Sequence, residues 1–247
     1  MGEVSIQFLG SGDAFGSGGR FQTCIYVRFD TTHFLIDCGT SSLIAMKRFG
    51  LNPSLIDFVL LTHLHGDHFG GLPFFIMDAQ FVSRRRKPLT VAGPPKLKDR
   101  ISEAMEVLYP GSSQTRREFT LEFVELTGET ATTVGPVMVT PYDVVHPSGA
   151  PSYALRVECG GKVLTYSGDT EWTDTLIQAS QDADLFICEC YFFEKGGRYH
   201  LDYQTLLDHQ TDLECRRLIL THMNDDMLRR LEALDAEGAE DGKSLVL

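Results

Sequence analysis

The six residues His63-Leu64-His65-Gly66-Asp67-His68 constrain this chain more than any other stretch. They put four side chains of metal-ligating type next to one another. Just before them runs Ile56-Asp57-Phe58-Val59-Leu60-Leu61, an apolar, β-branched segment that reads as a buried strand. Just after them come Gly70, Gly71 and an apolar segment, so that Phe69 to Ser83 reads as a helix. The cluster therefore sits on a strand-to-helix turn, where open α/β sheets place their chemistry. A strand on one side and a helix on the other can hold several imidazoles at one point with little motion.

The same arrangement recurs three times. His146 follows the strand-like Met138–Val145, Asp169 follows Val163–Gly168, and His222 follows Leu218–Thr221. His63, His65, Asp67, His68, His146, Asp169 and His222 thus fall at four predicted strand ends. Seven donors are too many for one tetrahedral zinc. They suit two divalent ions that share a bridging carboxylate and each keep an open position for water. Imidazole plus carboxylate fits Zn2+ best, and the same nitrogen and oxygen donors accept Mn2+ or Fe2+.

The rest of the chain predicts the frame for such a site. Strands are expected at Val4–Phe8, Thr23–Phe29, His33–Asp37, Leu89–Ala92, Phe119–Leu126, Val137–Val145, Tyr153–Glu158, Val163–Tyr166, Leu185–Cys190 and Arg217–Thr221. Helices are expected at Ser41–Phe49, Leu97–Leu108, Thr173–Ser180, Tyr203–His209 and Asp225–Leu234. Gly10 to Gly19 carries five glycines and must be a sharply bent loop. Strand-rich segments followed by strand–helix units occur once in each half. That pattern predicts an α/β fold, a four-layer αββα sandwich, as one domain over residues 1–247. The small and charged residues of 235–247 predict a partly mobile tail.

Composition narrows the partners. A net charge of −12 over 247 residues repels polyanions and disfavours nucleic acid, leaving a small molecule as the expected substrate. The one strong basic run, Arg84-Arg85-Arg86-Lys87, reads as a solvated helix end or as a phosphate-contact patch. The six cysteines are scattered without a CxxC pair, as expected of reduced thiols in a cytoplasmic protein. Cys188 and Cys190 are expected on opposite faces of a strand, unable to share a metal. Apolar runs are too short for a membrane span, and Met-Gly-Glu-Val-Ser-Ile shows no secretory signal.

Together, HxHxDH after an apolar strand, a later His, Ser167-Gly168-Asp169-Thr170 and Thr221-His222 resemble the metallo-β-lactamase superfamily over residues 4 to 222. The resemblance implies an αββα sandwich. It implies that His63, His65 and His146 hold a first metal, that Asp67, His68 and His222 hold a second, and that Asp169 bridges them. True β-lactamases of the main zinc class usually have Cys at the position of Asp169 and lack His68, and flavodiiron proteins have Glu at the position of His65. The glyoxalase and lactonase branches share the ligand set. Phe8-Leu9-Gly10-Ser11-Gly12-Asp13-Ala14, Gly19-Arg20, Thr23-Cys24 and Asp67-His68-Phe69-Gly70-Gly71-Leu72-Pro73 are similar to ribonuclease Z and its phosphodiesterase relatives, which carry an Arg beside the active site. Two departures matter. The tRNA-processing members insert a basic arm between the third His and the bridging Asp, yet only a hairpin fits between His146 and Asp169. Where those enzymes read His-Glu-Ala-Thr, this chain reads Cys188-Glu189-Cys190-Tyr191, so the leaving-group His is missing. His200, in the following loop, could substitute or be a plain loop residue.

Such a site favours hydrolysis. Two cations about 3.5–4 Å apart lower the pKa of a bridging water and clamp the entering and leaving oxygens. Asp67 would ligate and also orient the bridging hydroxide, and His200 would serve the leaving group. The expectation is a phosphodiesterase for a small or cyclic phosphodiester. Hydrolysis of a carboxyl ester, thioester or lactone remains open, as does ribonuclease Z-type tRNA 3′ cleavage. The resemblance also implies a homodimer.

Overall fold

The computed structural model describes residues 2–247. A first sheet of seven strands runs in the order β13-β1-β2-β3-β4-β5-β6. Its members are β1 (Val4–Gly10), β2 (Cys24–Phe29), β3 (Thr32–Ile36), β4 (Phe58–Leu60), β5 (Leu89–Gly93), β6 (Leu121–Glu125) and β13 (Ser244–Val246). A second sheet of six strands runs β12-β11-β10-β9-β8-β7. It comprises β7 (Thr132–Val134), β8 (Val137–Val144), β9 (Ser152–Cys159), β10 (Lys162–Tyr166), β11 (Leu185–Glu189) and β12 (Leu218–Thr221). In both sheets antiparallel pairs give way to parallel ones, at β3–β4 in the first and at β10–β11 in the second.

Alternation along the strands sorts the side chains into three apolar layers. Ile6 and Phe8 of β1, Phe34 of β3, Leu155 of β9 and Ile187 of β11 meet between the sheets. Leu35 and Val59 face outward onto α1 (Ser42–Arg48), α3 (Leu72–Phe81) and α4 (Leu97–Leu108) through Met46, Phe75 and Ile101. Phe186 and Leu220 face outward on the other side, toward α5 (Thr175–Ser180), α6 (Tyr203–Asp208) and α7 (Asp225–Leu231). The result is the expected αββα sandwich. The expected 69–83 helix is the shorter α3, and Gly70-Gly71 separates it from a short α2 (Gly66–Phe69) that carries the cluster. A Cβ at Gly71 would lie 2.1 Å from the Gly39 carbonyl oxygen, which explains the glycine there.

Three expectations change. Residues 235–247 do not form a loose tail: β13 pairs antiparallel with β1, Ala239 is buried, and Glu237 binds Arg217 at 2.7 Å. The charged residues that suggested mobility are its fastenings. Arg85 is only 2% exposed and is no solvated helix end. Its guanidinium donates to the carbonyls of Ile56 at 2.5 Å, Pro88 at 2.6 Å and Lys87 at 2.7 Å, with Phe119 beside it. Cys188 and Cys190 lie in one outward layer with Phe186, because residues two apart in a strand share a face. All six cysteines are free. No helix among the described residues is long and apolar enough to cross a membrane.

Candidate metal centre

The chain turns away from four strands at one place. His63 lies three residues past β4, and His65 caps α2, whose first turn carries Asp67 and His68. His146 lies two residues past β8, Asp169 three past β10, and His222 immediately past β12. The turns are tight. Gly168 has φ 59°, and a Cβ there would sit 2.7 Å from the Tyr153 carbonyl oxygen, so only glycine delivers Asp169 here. His222 itself adopts φ 56° and is held by its own N–H, which donates to the Ser11 carbonyl at 3.1 Å.

All seven predicted residues converge, in two groups whose donor atoms lie within 4.8 Å of one another: His63, His65 and His146, and then Asp67, His68, Asp169 and His222. Asp169 stands between the groups. Its Oδ2 lies 3.8 Å from the Nε2 of both His63 and His146 and 3.5 Å from His222 Nε2, while its Oδ1 lies 3.2 Å from His68 Nε2. Asp67 Oδ2 lies 3.2 Å from His222 Nε2 and 3.3 Å from His68 Nε2.

Partners behind the rings fix which nitrogen faces inward. His68 Nδ1–H donates to Asp37 Oδ2 at 2.7 Å. The Thr62 hydroxyl donates to the same oxygen at 2.8 Å, which leaves it to accept from His63 Nδ1 at 3.0 Å. His146 Nδ1–H donates to the Tyr199 carbonyl at 2.8 Å. Each ring thus turns its Nε2 toward the centre, the arrangement by which outer partners orient metal-binding histidines.

The two groups differ in charge. Burial keeps His63 well below the ordinary imidazole range, and burial brings His146 down to about 4. His65 is lowered for the same reason, so the first group is neutral and ready to donate lone pairs. In the second group burial opposes charge, but Asp169 and the bond to Asp67 outweigh it and push His222 up to about 9. Asp169 and Asp67 raise His68 likewise. Burial works to raise both carboxylates, and His222 and His68 hold them low instead.

The donors fit a bound cation. His63 Nε2, His68 Nε2 and Asp169 Oδ1 are buried with no hydrogen-bond partner among the described residues. Buried polar atoms are rarely left so, because the lost hydration is not replaced. A cation among them would satisfy all three.

His200 also reaches the centre, within the same reach of His146 and Asp169. Its Nδ1–H donates to both oxygens of buried Glu189 at 3.2 Å, and its ring stacks on His222 at 5.7 Å. Arg20 does not line the site cavity: it turns to the Ala239 carbonyl at 2.5 Å. The sequence reading missed Asp37, Thr62 and Glu189 as supports of the site. Asp37 did carry a signal, since it too closes an apolar run, Phe34-Leu35-Ile36.

Two face-to-face sheets clad in helices, with a His/Asp cluster at the strand ends, define a protein of the metallo-β-lactamase fold. The metallo-β-lactamase fold protein YhfI from Bacillus subtilis superposes with a TM-score of 0.78 at 22% identity, covering 99% of this chain and 100% of that one. The human short-form tRNase Z, ELAC1, gives 0.78 at 24% identity, with 98% of each chain covered. A ribonuclease Z from Lachnoclostridium phytofermentans is 24% identical over 304 aligned positions, covering 99% of this chain and 98% of the relative. The sequence model of the family described as anti-Pycsar protein Apyc1 matches residues 4–239, and this chain belongs to that family.

Proposed function

We propose that the protein is a dinuclear metal-dependent phosphodiesterase acting on a small cyclic phosphodiester, with cyclic nucleotides as the substrate class. The observation that carries this reading is Asp169, which reaches both ligand groups at once. His63, His65 and His146 would hold one ion, Asp67, His68 and His222 the other, and Asp169 would bridge them. Zn2+ suits these donors best. Two such ions, when bound, supply a water acidic enough to attack at neutral pH and a positive field for the phosphoryl oxygens.

The chain's own groups do the rest. Asp67 can accept a proton from, and so aim, the attacking water. The Asp37–Thr62–His63 and Asp37–His68 bonds keep the imidazoles from turning. His200 is positioned to protonate the departing oxygen. Burial works against its charge, yet the bond to Glu189 outweighs this and raises it above the ordinary histidine range.

Substrate size follows from what stands between His146 and Asp169. That segment is the β9–β10 hairpin, with no room for a basic arm that could grip RNA. The net charge of −12 argues the same way. Free, largely buried cysteines accord with a reducing, cytoplasmic setting.

The test loads the purified protein with Zn2+, counts metal per chain, and compares bis-p-nitrophenyl phosphate, a 3′,5′-cyclic nucleotide, p-nitrophenyl acetate, a lactone and a precursor tRNA. About two ions per chain and diester turnover are expected. One ion or fewer sinks the dinuclear reading. Ester or lactone turnover without diester turnover replaces it with a carboxyl-ester hydrolase, and preference for precursor tRNA with a ribonuclease.

A further inference from the structure

Phe15 has no role in the fold. Its side chain is 85% exposed, two residues past the buried Asp13. Its backbone is nevertheless held in place. Its N–H donates to Asp13 Oδ1 at 3.2 Å, the Ser17 N–H to the same oxygen at 2.9 Å, and the Ser17 hydroxyl to Asp13 Oδ2 at 2.7 Å. Further along the loop, Gly18 N–H donates to Asp225 Oδ1 at 2.9 Å, tying the loop to α7. The fixed end of this loop reaches the site: Ala14 and Phe15 line a cavity of about 330 Å³ together with His65, Asp67, His146, Asp169 and His222.

The cavity's lining is unusual in what it offers a ligand. Beyond the ligand residues and His200 it consists of Ala14, Phe15 and Tyr191. No lysine or arginine lines it among the described residues. A pyrophosphate or a nucleic-acid backbone would bring charges that nothing here, apart from bound cations, could answer. A single phosphodiester charge at the cluster, continued by a flat apolar group at Phe15, matches both ends. The volume is that of a compact small-molecule site.

Building on the phosphodiesterase reading above, we propose that Phe15 is the specificity-determining platform on which the planar heterocycle of the substrate stacks while its phosphodiester lies at the metal cluster. The loop backbone that carries the ring is fixed before the substrate arrives, so little backbone freedom is lost on binding. Aromatic stacking accepts any flat base, so the enzyme discriminates by the presence of a ring more than by its identity.

The experiment uses the Zn2+-loaded protein with two substrates, a 3′,5′-cyclic nucleotide and the matching ribose cyclic phosphate with a methyl group in place of the base. Phe15→Ala and Phe15→Leu should each raise KM for the cyclic nucleotide roughly 10-fold, with kcat within about twofold, as loss of one stacked base does. Phe15→Trp should keep KM, and none of the three should change KM for the base-free diester. Unchanged KM for the nucleotide in Phe15→Ala overturns the proposal, as does an equal rise for both substrates. A binding arm is independent of turnover. Trp172 is the only native tryptophan, so the new indole in Phe15→Trp should be quenched by cyclic nucleotide above the Trp172 background. No added quenching overturns the platform. Quenching without diester turnover by the parent protein would instead fault the phosphodiesterase reading while keeping the platform.

Discussion

Asp37 and His68 share a 2.7 Å hydrogen bond in which neither side chain touches solvent. The same carboxylate accepts both the hydroxyl and, through its other oxygen, the backbone N–H of Thr62 at 2.8 Å. One buried residue thereby orients a ring in each ligand group. Asp37→Asn should weaken Zn2+ binding at the His68 group about 10- to 100-fold, the usual loss when an outer partner is removed. Chelator competition measures it. Asp37→Ala should in addition lower stability by about 1–3 kcal/mol, because Thr62 and His68 lose their acceptor. Undiminished affinity in both variants would remove Asp37 from the site's support.

Metal loading should release protons. Against the effect of burial, Asp169 and Asp67 keep His222 protonated up to about pH 9, and His68 is raised with it. At pH 7 a cation entering the second group must displace those protons, so apparent affinity should climb as pH rises toward 9. Calorimetric titration with Zn2+ in two buffers of different ionisation heat should show more than about one proton released per chain at pH 7. The release should be smaller at pH 9. Identical heats in both buffers at pH 7 would contradict this.

His200→Ala should slow diesters with poor leaving groups far more than activated ones. A protonated donor matters for an alkoxide and little for p-nitrophenolate, and general acid catalysis contributes about 10²–10⁴-fold. The expected result is such a loss on a cyclic nucleotide with less than about tenfold loss on bis-p-nitrophenyl phosphate. Glu189→Gln should follow the same pattern and shift the alkaline limb of the pH–rate profile downward, since it removes the charge that raises His200. Equal losses on both substrates would assign His200 a structural part only.

Arg85 should behave as a core residue. Arg85→Ala strands the carbonyls of Ile56, Lys87 and Pro88 at the entrance to β4 and β5. We expect a loss of about 2–4 kcal/mol, as for buried groups left without partners. Arg84→Ala and Arg86→Ala, both exposed, should change stability by less than about 0.5 kcal/mol. Urea unfolding of the three variants settles the order.

Why some of this was readable in the sequence and some was not has a physical basis. The seven site residues follow four apolar runs, and a strand's end is set locally by where such a run stops. His65 and Asp67 needed nothing else. Asp37 ends such a run too, but a lone carboxylate carries no ligand pattern, and its part appears only when β3 and β4 pair. Glu189 reads as one polar residue in a buried strand until the loop folds His200 back onto it. Arg85 looked solvated because its three neighbours are charged, and its partners are carbonyls, which have no sequence signature. β7 and β13 are three-residue strands of mixed polarity, fixed by the strands they pair with.

The fastening of residues 235–247 has a further consequence. Asp241 accepts from the N–H groups of Ser11 at 2.9 Å and Phe21 at 2.7 Å, and the Ser11 carbonyl accepts the N–H of His222. Residues 235–247 are thus a girder under His222, one of the residues proposed to hold metal. A trimmed C-terminus or a bulky fusion there is not a neutral choice of laboratory handle. It would register first as altered chemistry at the opposite end of the chain's contacts, before any visible loss of fold.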